Sequence, residues 1–128
     1  MKNASQSLSS ASSSVRKKIL LPIMGGLNFE KTEEIISLQA EGNYTHLYFS
    51  YGRKMLVCKT LSAIESMIGN PLKFIRIHRS HTININRIQQ YMRGKGGYVK
   101  MENGQEIDVS VSRKKAFMKA LGNYFGVP

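Results

Sequence analysis

The chain has 128 residues and a formal net charge of +11, from 19 basic and 8 acidic residues. That length fits one domain, enough to bury a core without disulfide staples. The charge points to a polyanionic partner, with nucleic acid ahead of an anionic membrane surface. No apolar run approaches the roughly 18 residues of a transmembrane helix. The single cysteine, Cys58, excludes an intramolecular disulfide and fits a reducing cytoplasm.

Met1 to Ser14 carry seven serines and one basic residue with no apolar core, which excludes a signal peptide. Residues 1–16 read as a disordered serine-rich leader, and the fold is expected over residues 17–125. Lys18 to Ile23 is a short apolar strand that Pro22 confines to an edge or a strand end. Gly25-Gly26 turns into a second short strand, Leu27 to Glu30. Thr32-Glu33-Glu34 predicts one helical turn. Ile36, Leu38 and Ala40 alternate with Ser37, Gln39 and Glu41, the pattern of a half-buried strand. Glu41-Gly42-Asn43 breaks it, and Tyr44 to Ser50 is aromatic and β-branched, hence a strand. Lys54 to Lys59 follows a turn, with Cys58 as a small core residue.

The period then changes. Leu61, Ile64 and Ile68 share one helix face, with Thr60 or Ser62 as cap, and Ser62 with Glu65 fitting a capping box. Gly69-Asn70-Pro71 ends the helix. Strands resume at Phe74 and again at Ile88 to Met92, before the loop Arg93 to Gly97. Asn103-Gly104 between Tyr98–Met101 and Glu106–Val109 signals a hairpin. Ser112 to Tyr124 predicts a terminal helix. The fold class is mainly β, with nine or ten short strands and two short helices, at a spacing close to that of a sandwich or barrel.

Three stretches can carry chemistry. In the first, Phe74, Ile75 and Ile77 alternate with Lys73, Arg76 and Arg79, giving a strand with one buried and one positive face. Seven Lys or Arg and no acid lie between Glu65 and Glu102. Arg79 can clamp a phosphate or bond a guanine edge, against the plainer fate of a solvated arginine. His78 and His81 have the spacing of a metal pair but lack companions. A hydrogen-bonded core histidine and a surface polar contact are the stronger readings. Asn84 and Asn86 suit backbone bonding at a turn. The second stretch is Asn43 to His46, where Tyr44 packs while Asn43, Thr45 or His46 face outward. In the third, Ser112 caps a helix whose first turn carries Arg113, Lys114 and Lys115. Cations repel a positive helix terminus, by about 0.3–1 kcal/mol each at low salt. A bound phosphate would turn that penalty into a contact. The loop Gly94 to Gly97 lacks the frame of a phosphate-binding loop and reads instead as a flexible hairpin carrying Arg93 and Lys95.

Catalysis finds little support. Asp108 is the only aspartate, and no carboxylate pair or triad emerges. No cofactor or metal is expected.

Phe74-Ile75-Arg76-Ile77-His78-Arg79-Ser80-His81, followed by Ile83-Asn84-Ile85-Asn86-Arg87-Ile88, resembles the core motif of LytTR DNA-binding domains. Ile36 to Tyr44, ending in Glu41-Gly42-Asn43-Tyr44, resembles that family's first signature, and Val109 to Arg113 after Asn103-Gly104 its closing segment. Together these span about Leu20 to Leu121. His81 stands where an aromatic or other bulky residue is frequent, and Ile83 replaces a common valine. The resemblance implies an elongated multi-sheet β fold whose loops enter successive major grooves. It implies contacts from Asn43, Thr45 and His46, from Arg79 with Ser80, and from Ser112 to Lys115. It further implies double-stranded DNA with paired repeats, bound by two protomers. The family usually adds a receiver, whereas only Met1 to Arg16 precede the domain here, so a stand-alone regulator or an excised fragment is expected. A sequence-specific transcriptional regulator in the cytoplasm leads. An RNA-binding or ribosome-associated basic β protein is the alternative, and a nuclease is a weak third.

Overall fold

The computed structural model describes residues 16–126. The leader expected over 1–16 falls outside them except for Arg16. The strands are β1 (Lys18–Ile23), β2 (Gly26–Lys31), β3 (Ile35–Glu41), β4 (Tyr44–Phe49), β5 (Lys54–Val57), β6 (Phe74–His78), β7 (His81–Asn84), β8 (Ile88–Met92), β9 (Tyr98–Met101) and β10 (Glu106–Asp108). Helix α1 (Leu61–Ile68) joins β5 to β6, and α2 (Val111–Phe125) closes the chain.

These strands form three sheets rather than a barrel. A five-stranded antiparallel sheet runs β5-β4-β3-β7-β6, beside a two-stranded β1-β2 sheet and a three-stranded β10-β9-β8 sheet. Each face of the five-stranded sheet buries its own core. On one face Leu38, Leu47 and Phe49 pack with Ile19 and Leu21 of β1 and with Leu61, Ile64 and Ile68 of α1. On the other, Ile36, Ile77 and Ile83 pack with Val99, Met101, Ile107 and Phe117.

Strand β3 departs from simple alternation because it is covered twice. Ile35, Ile36, Ser37 and Leu38 are all buried, and an irregularity between Ile35 and Ser37 shifts the pairing register. Ile35 and Ile36 thereby feed opposite cores. The apolar face of α1 is the expected one. Its cap is Thr60, whose side chain accepts from the Ala63 N–H. Ser62 and Glu65 form no capping box, because the Glu65 carboxylate is held by Arg76 and by the buried Thr82 hydroxyl. Gly69 ends α1 at φ 66°, a left-handed conformation that glycine adopts without cost. Cys58 is exposed rather than in the core. Val57 takes the buried position beside it, so the alternation simply runs the other way.

Asn84 ties the layers together. It is fully buried, its Nδ2 donates to the Ile35 carbonyl at 2.9 Å, and its Oδ1 accepts from the Asn86 N–H at 3.0 Å. Asn86 contributes its backbone to this turn. Asn84→Ala strands a buried carbonyl and should cost about 1.5 kcal/mol in urea unfolding. A value near zero would mean that water or a neighbour replaces the amide.

Candidate nucleic-acid interface

Hydrogen bonds gather the candidate segments at one end of the molecule. The Ala40 N–H, just before the β3–β4 turn, donates to the Ser80 carbonyl in the β6–β7 turn at 2.8 Å. The Ser110 N–H, at the start of α2, donates to the Ile77 carbonyl of β6 at 2.9 Å. The Val109 N–H donates to the Gly97 carbonyl at 2.9 Å, and Lys114 Nζ to the Gly94 carbonyl at 3.2 Å. Three turns and a helix terminus thus form one continuous edge.

The β3–β4 turn fixes which side chains face out. Its two central residues, Gly42 and Asn43, set Glu41 opposite Tyr44 and Ala40 opposite Thr45. Asn43 and Tyr44 are exposed. Thr45 is fully buried, its Oγ1 donating to the Lys59 carbonyl at 2.8 Å. This inverts the expected parity: Tyr44 is outside and Thr45 inside, where its side chain presents nothing to a partner. His46 is half-buried, with Nε2 against Glu41 and a buried Nδ1 that lacks a partner. Pairing sets His46 opposite Gln39, Gln39 opposite His81, and His81 opposite His78. Cross-strand partners share a face, so a polar row crosses the sheet from β4 to β6. Gln39 belongs to that row and was not anticipated; its register with His46 follows from the length of the turn.

The cations divide by their partners. Arg76 makes a bidentate contact with Glu65, at 2.9 and 3.0 Å, so the exposed face of β6 is less positive than its sequence suggests. Arg53 pairs with Glu30 and Arg87 with Glu102. Among the described residues, no ion pair joins an acid to Arg79, Arg93, Lys95, Arg113, Lys114 or Lys115. Arg79 is exposed at the tip of the β6–β7 turn. Beside it, Ser80 Oγ lies 3.0 Å from Nδ1 of both His78 and His81, so this hydroxyl is engaged within the protein. No third metal-binding side chain joins the two histidines among the described residues.

Arg93 and Lys95 are exposed on the β8–β9 loop, whose second half is firmly held. Gly96 is buried, and its carbonyl accepts from the Tyr91 hydroxyl at 2.7 Å. The expected flexible hairpin is therefore a packed one. The residue at the N-cap of α2 is Ser110, not Ser112, and its Oγ is buried without a partner. Ser112 is exposed within the first turn, followed by half-buried Arg113 and Lys114 and exposed Lys115. No acid offsets them there.

Burial pushes His81 below the ordinary histidine value, helped by His78 and opposed by Asp108. A lowered folded value means that the unfolded chain binds the proton more readily. His81 therefore costs no stability at neutral pH, and stability falls as pH drops below about 6.5. Urea unfolding of wild type and His81→Phe at about pH 7.5 and pH 5.5 checks this. The wild type should lose more on acidification, and equal losses would sink the assignment.

A doubly covered antiparallel sheet whose turns present unpaired cations at one end defines a nucleic-acid-binding β module. The family model of the LytTr DNA-binding domain matches residues 26–122, and the chain belongs to that family. These are DNA-binding domains of transcription regulators. A solved LytTr DNA-binding domain from Bacillus cereus, described as part of a methyl-accepting/DNA response regulator, shares the fold. It aligns at a TM-score of 0.71 and 24% identity over 84% of this chain and 98% of that one. Among curated proteins none matches the sequence. No helix among the described residues is long and apolar enough to cross a membrane.

Proposed function

We propose that the chain is a sequence-specific transcriptional regulator of the cytoplasm that reads double-stranded DNA through this edge. Arg79, Asn43 and His46 meet base edges in successive major grooves. Arg93, Lys95 and the first turn of α2, Ser112 to Lys115, hold phosphates. The observation that carries the reading is the backbone frame that brings cations of separate segments together, Arg79, Lys95 and Lys114 among them. Arg53, Arg76 and Arg87 are paired with acids, while among the described residues no ion pair joins an acid to the cations of this edge. Unpaired cations held on a common backbone frame suit a regularly spaced polyanion. Two protomers on paired repeats are the proposed stoichiometry.

Selection of bound duplexes from a random pool tests the reading, with single-stranded RNA as competitor. An enriched duplex motif that RNA does not displace supports it. Displacement by RNA with no motif would favour the RNA alternative. Lys114→Ala should weaken binding to every sequence and lower the slope of log affinity against log salt by about 1. An unchanged slope would remove Lys114 from the phosphate contacts.

A further inference from the structure

The β1–β2 hairpin packs one face and leaves the other bare. Pairing sets Lys18 opposite Lys31, Leu20 opposite Phe29 and Pro22 opposite Leu27. Cross-strand partners share a face, so these side chains form one row. The opposite face sends Ile19 and Leu21 into the core beside α1. In the bare row Leu20, Leu27 and Phe29 keep 41, 55 and 59 % of their surface exposed, and Met24 in the turn keeps 90 %. Exposed apolar residues scattered singly are ordinary, but a contiguous apolar face marks a contact surface.

The row ends in charge. Lys18 and Lys31 stand directly opposite each other, and like charges so placed destabilise a strand pair. Both line a cavity of about 450 Å³ together with Arg16, Lys17 and Lys73, and Glu33 is the one acid in its lining. Backbone bonds hold these segments side by side. The Arg16 N–H donates to the Ile68 carbonyl at 3.2 Å, the Thr32 N–H to the Lys17 carbonyl at 2.8 Å, and the Ile85 N–H to the Lys73 carbonyl at 2.7 Å. Among the described residues, no ion pair joins an acid to any of the five cations.

We propose that this hairpin face docks a segment of another protein whose apolar side chains are followed by clustered acids. Leu20, Leu27 and Phe29 take the apolar part, and the cavity at the Lys18–Lys31 end takes the carboxylates. Charge complementarity selects this occupant. Residues 1–15 contain no Asp or Glu, so they offer the cavity nothing. A second copy carries the same net charge of +11, and its Glu30, Glu34, Glu41, Glu65 and Glu102 are held in ion pairs. A concave pocket of cations suits a few clustered carboxylates better than a plane of lipid headgroups. Thr32 precedes β3 and Lys73 precedes β6, strands whose other ends carry the turns of Asn43 and Arg79. The acids of the partner therefore sit at the far end of the sheet from the edge proposed for DNA.

Selection of a displayed random peptide library on the full chain, without DNA, tests the proposal. Enriched peptides should carry apolar residues followed by Asp or Glu, and should shift the amide NMR signals of Leu20, Leu27 and Phe29. Phe29→Ser should weaken them about tenfold or more, the loss of one large apolar contact. Lys18→Glu with Lys31→Glu should lose them and prefer peptides that end in Lys. Arg79→Ala should bind them as wild type does. Phe29, Lys18 and Lys31 are exposed, so both variants should keep the wild-type fold, read by circular dichroism. No enrichment, or enriched peptides indifferent to Phe29→Ser and to the charge reversal, overturns the proposal. So does Phe29-dependent binding to vesicles of phosphatidylcholine and phosphatidylglycerol in equal parts, which makes the face a membrane contact. A Phe29-dependent dimer in sedimentation overturns it in favour of a second copy. A lower salt slope of duplex binding in the charge-reversed variant overturns it by assigning these lysines to DNA.

Discussion

Arg79→Ala is expected to weaken binding to the selected duplex by about 10–100-fold, with relaxed preference at one base position. The expectation rests on where the side chain is free to go. Arg76, three residues earlier, is spent on Glu65, Ser62 and the Arg79 carbonyl. Arg79 is exposed and has no acidic partner among the described residues. Removing it should leave urea stability within about 0.5 kcal/mol of wild type, because no packed contact is lost. Arg76→Ala should show the reverse, a loss of stability from the half-buried Glu65 it abandons. Titrations against duplexes with single base changes separate the two possible roles of Arg79. An equal loss on every sequence would reduce it to a phosphate contact.

Periods were legible in the sequence, but phases often were not. The alternation in Phe74 to His78 and the one apolar face of Leu61 to Ile68 announce strand and helix directly, since both faces and both partners are local. Thr45 and Tyr44 exchange roles because a two-residue turn sets the register, and one residue of register inverts every side chain after it. Cys58 and Val57 differ in the same way. Arg76 looked like Arg79 because its partner, Glu65, lies eleven residues earlier on α1, and only tertiary packing joins them. Val109-Ser110-Val111-Ser112 repeats its own pattern, so the cap could be assigned to either serine. The hydrogen bond from the Ser110 N–H to the Ile77 carbonyl holds the lead into α2, and the helix starts from Ser110. The candidate segments themselves were visible in charge and turn chemistry. Their union into one edge depends on backbone hydrogen bonds between distant turns, which no local pattern encodes.

Gly96→Ala carries the largest expected loss of stability, about 3 kcal/mol in urea unfolding. A Cβ at Gly96 would sit 1.8 Å from the Val109 carbonyl oxygen and 3.0 Å from its carbon. These are backbone atoms and cannot rotate aside as a long side chain would. Relief requires moving either the β8–β9 loop or the Val109–Ser110 lead into α2. The same lead is bonded to Gly97 and to Ile77, so the shift would carry Arg113 and Lys114 away from the Arg79 turn. Duplex affinity should therefore fall along with stability, although Gly96 touches no partner in this scheme. Gly94→Ala is the control. Its Cβ would meet Gly97 at 3.6 Å, an ordinary contact, and should change stability by less than about 0.5 kcal/mol. If Gly96→Ala were as stable as Gly94→Ala, the loop would not be packed on the start of α2, and the phosphate-holding cations would lack the rigid frame that joins them to Arg79.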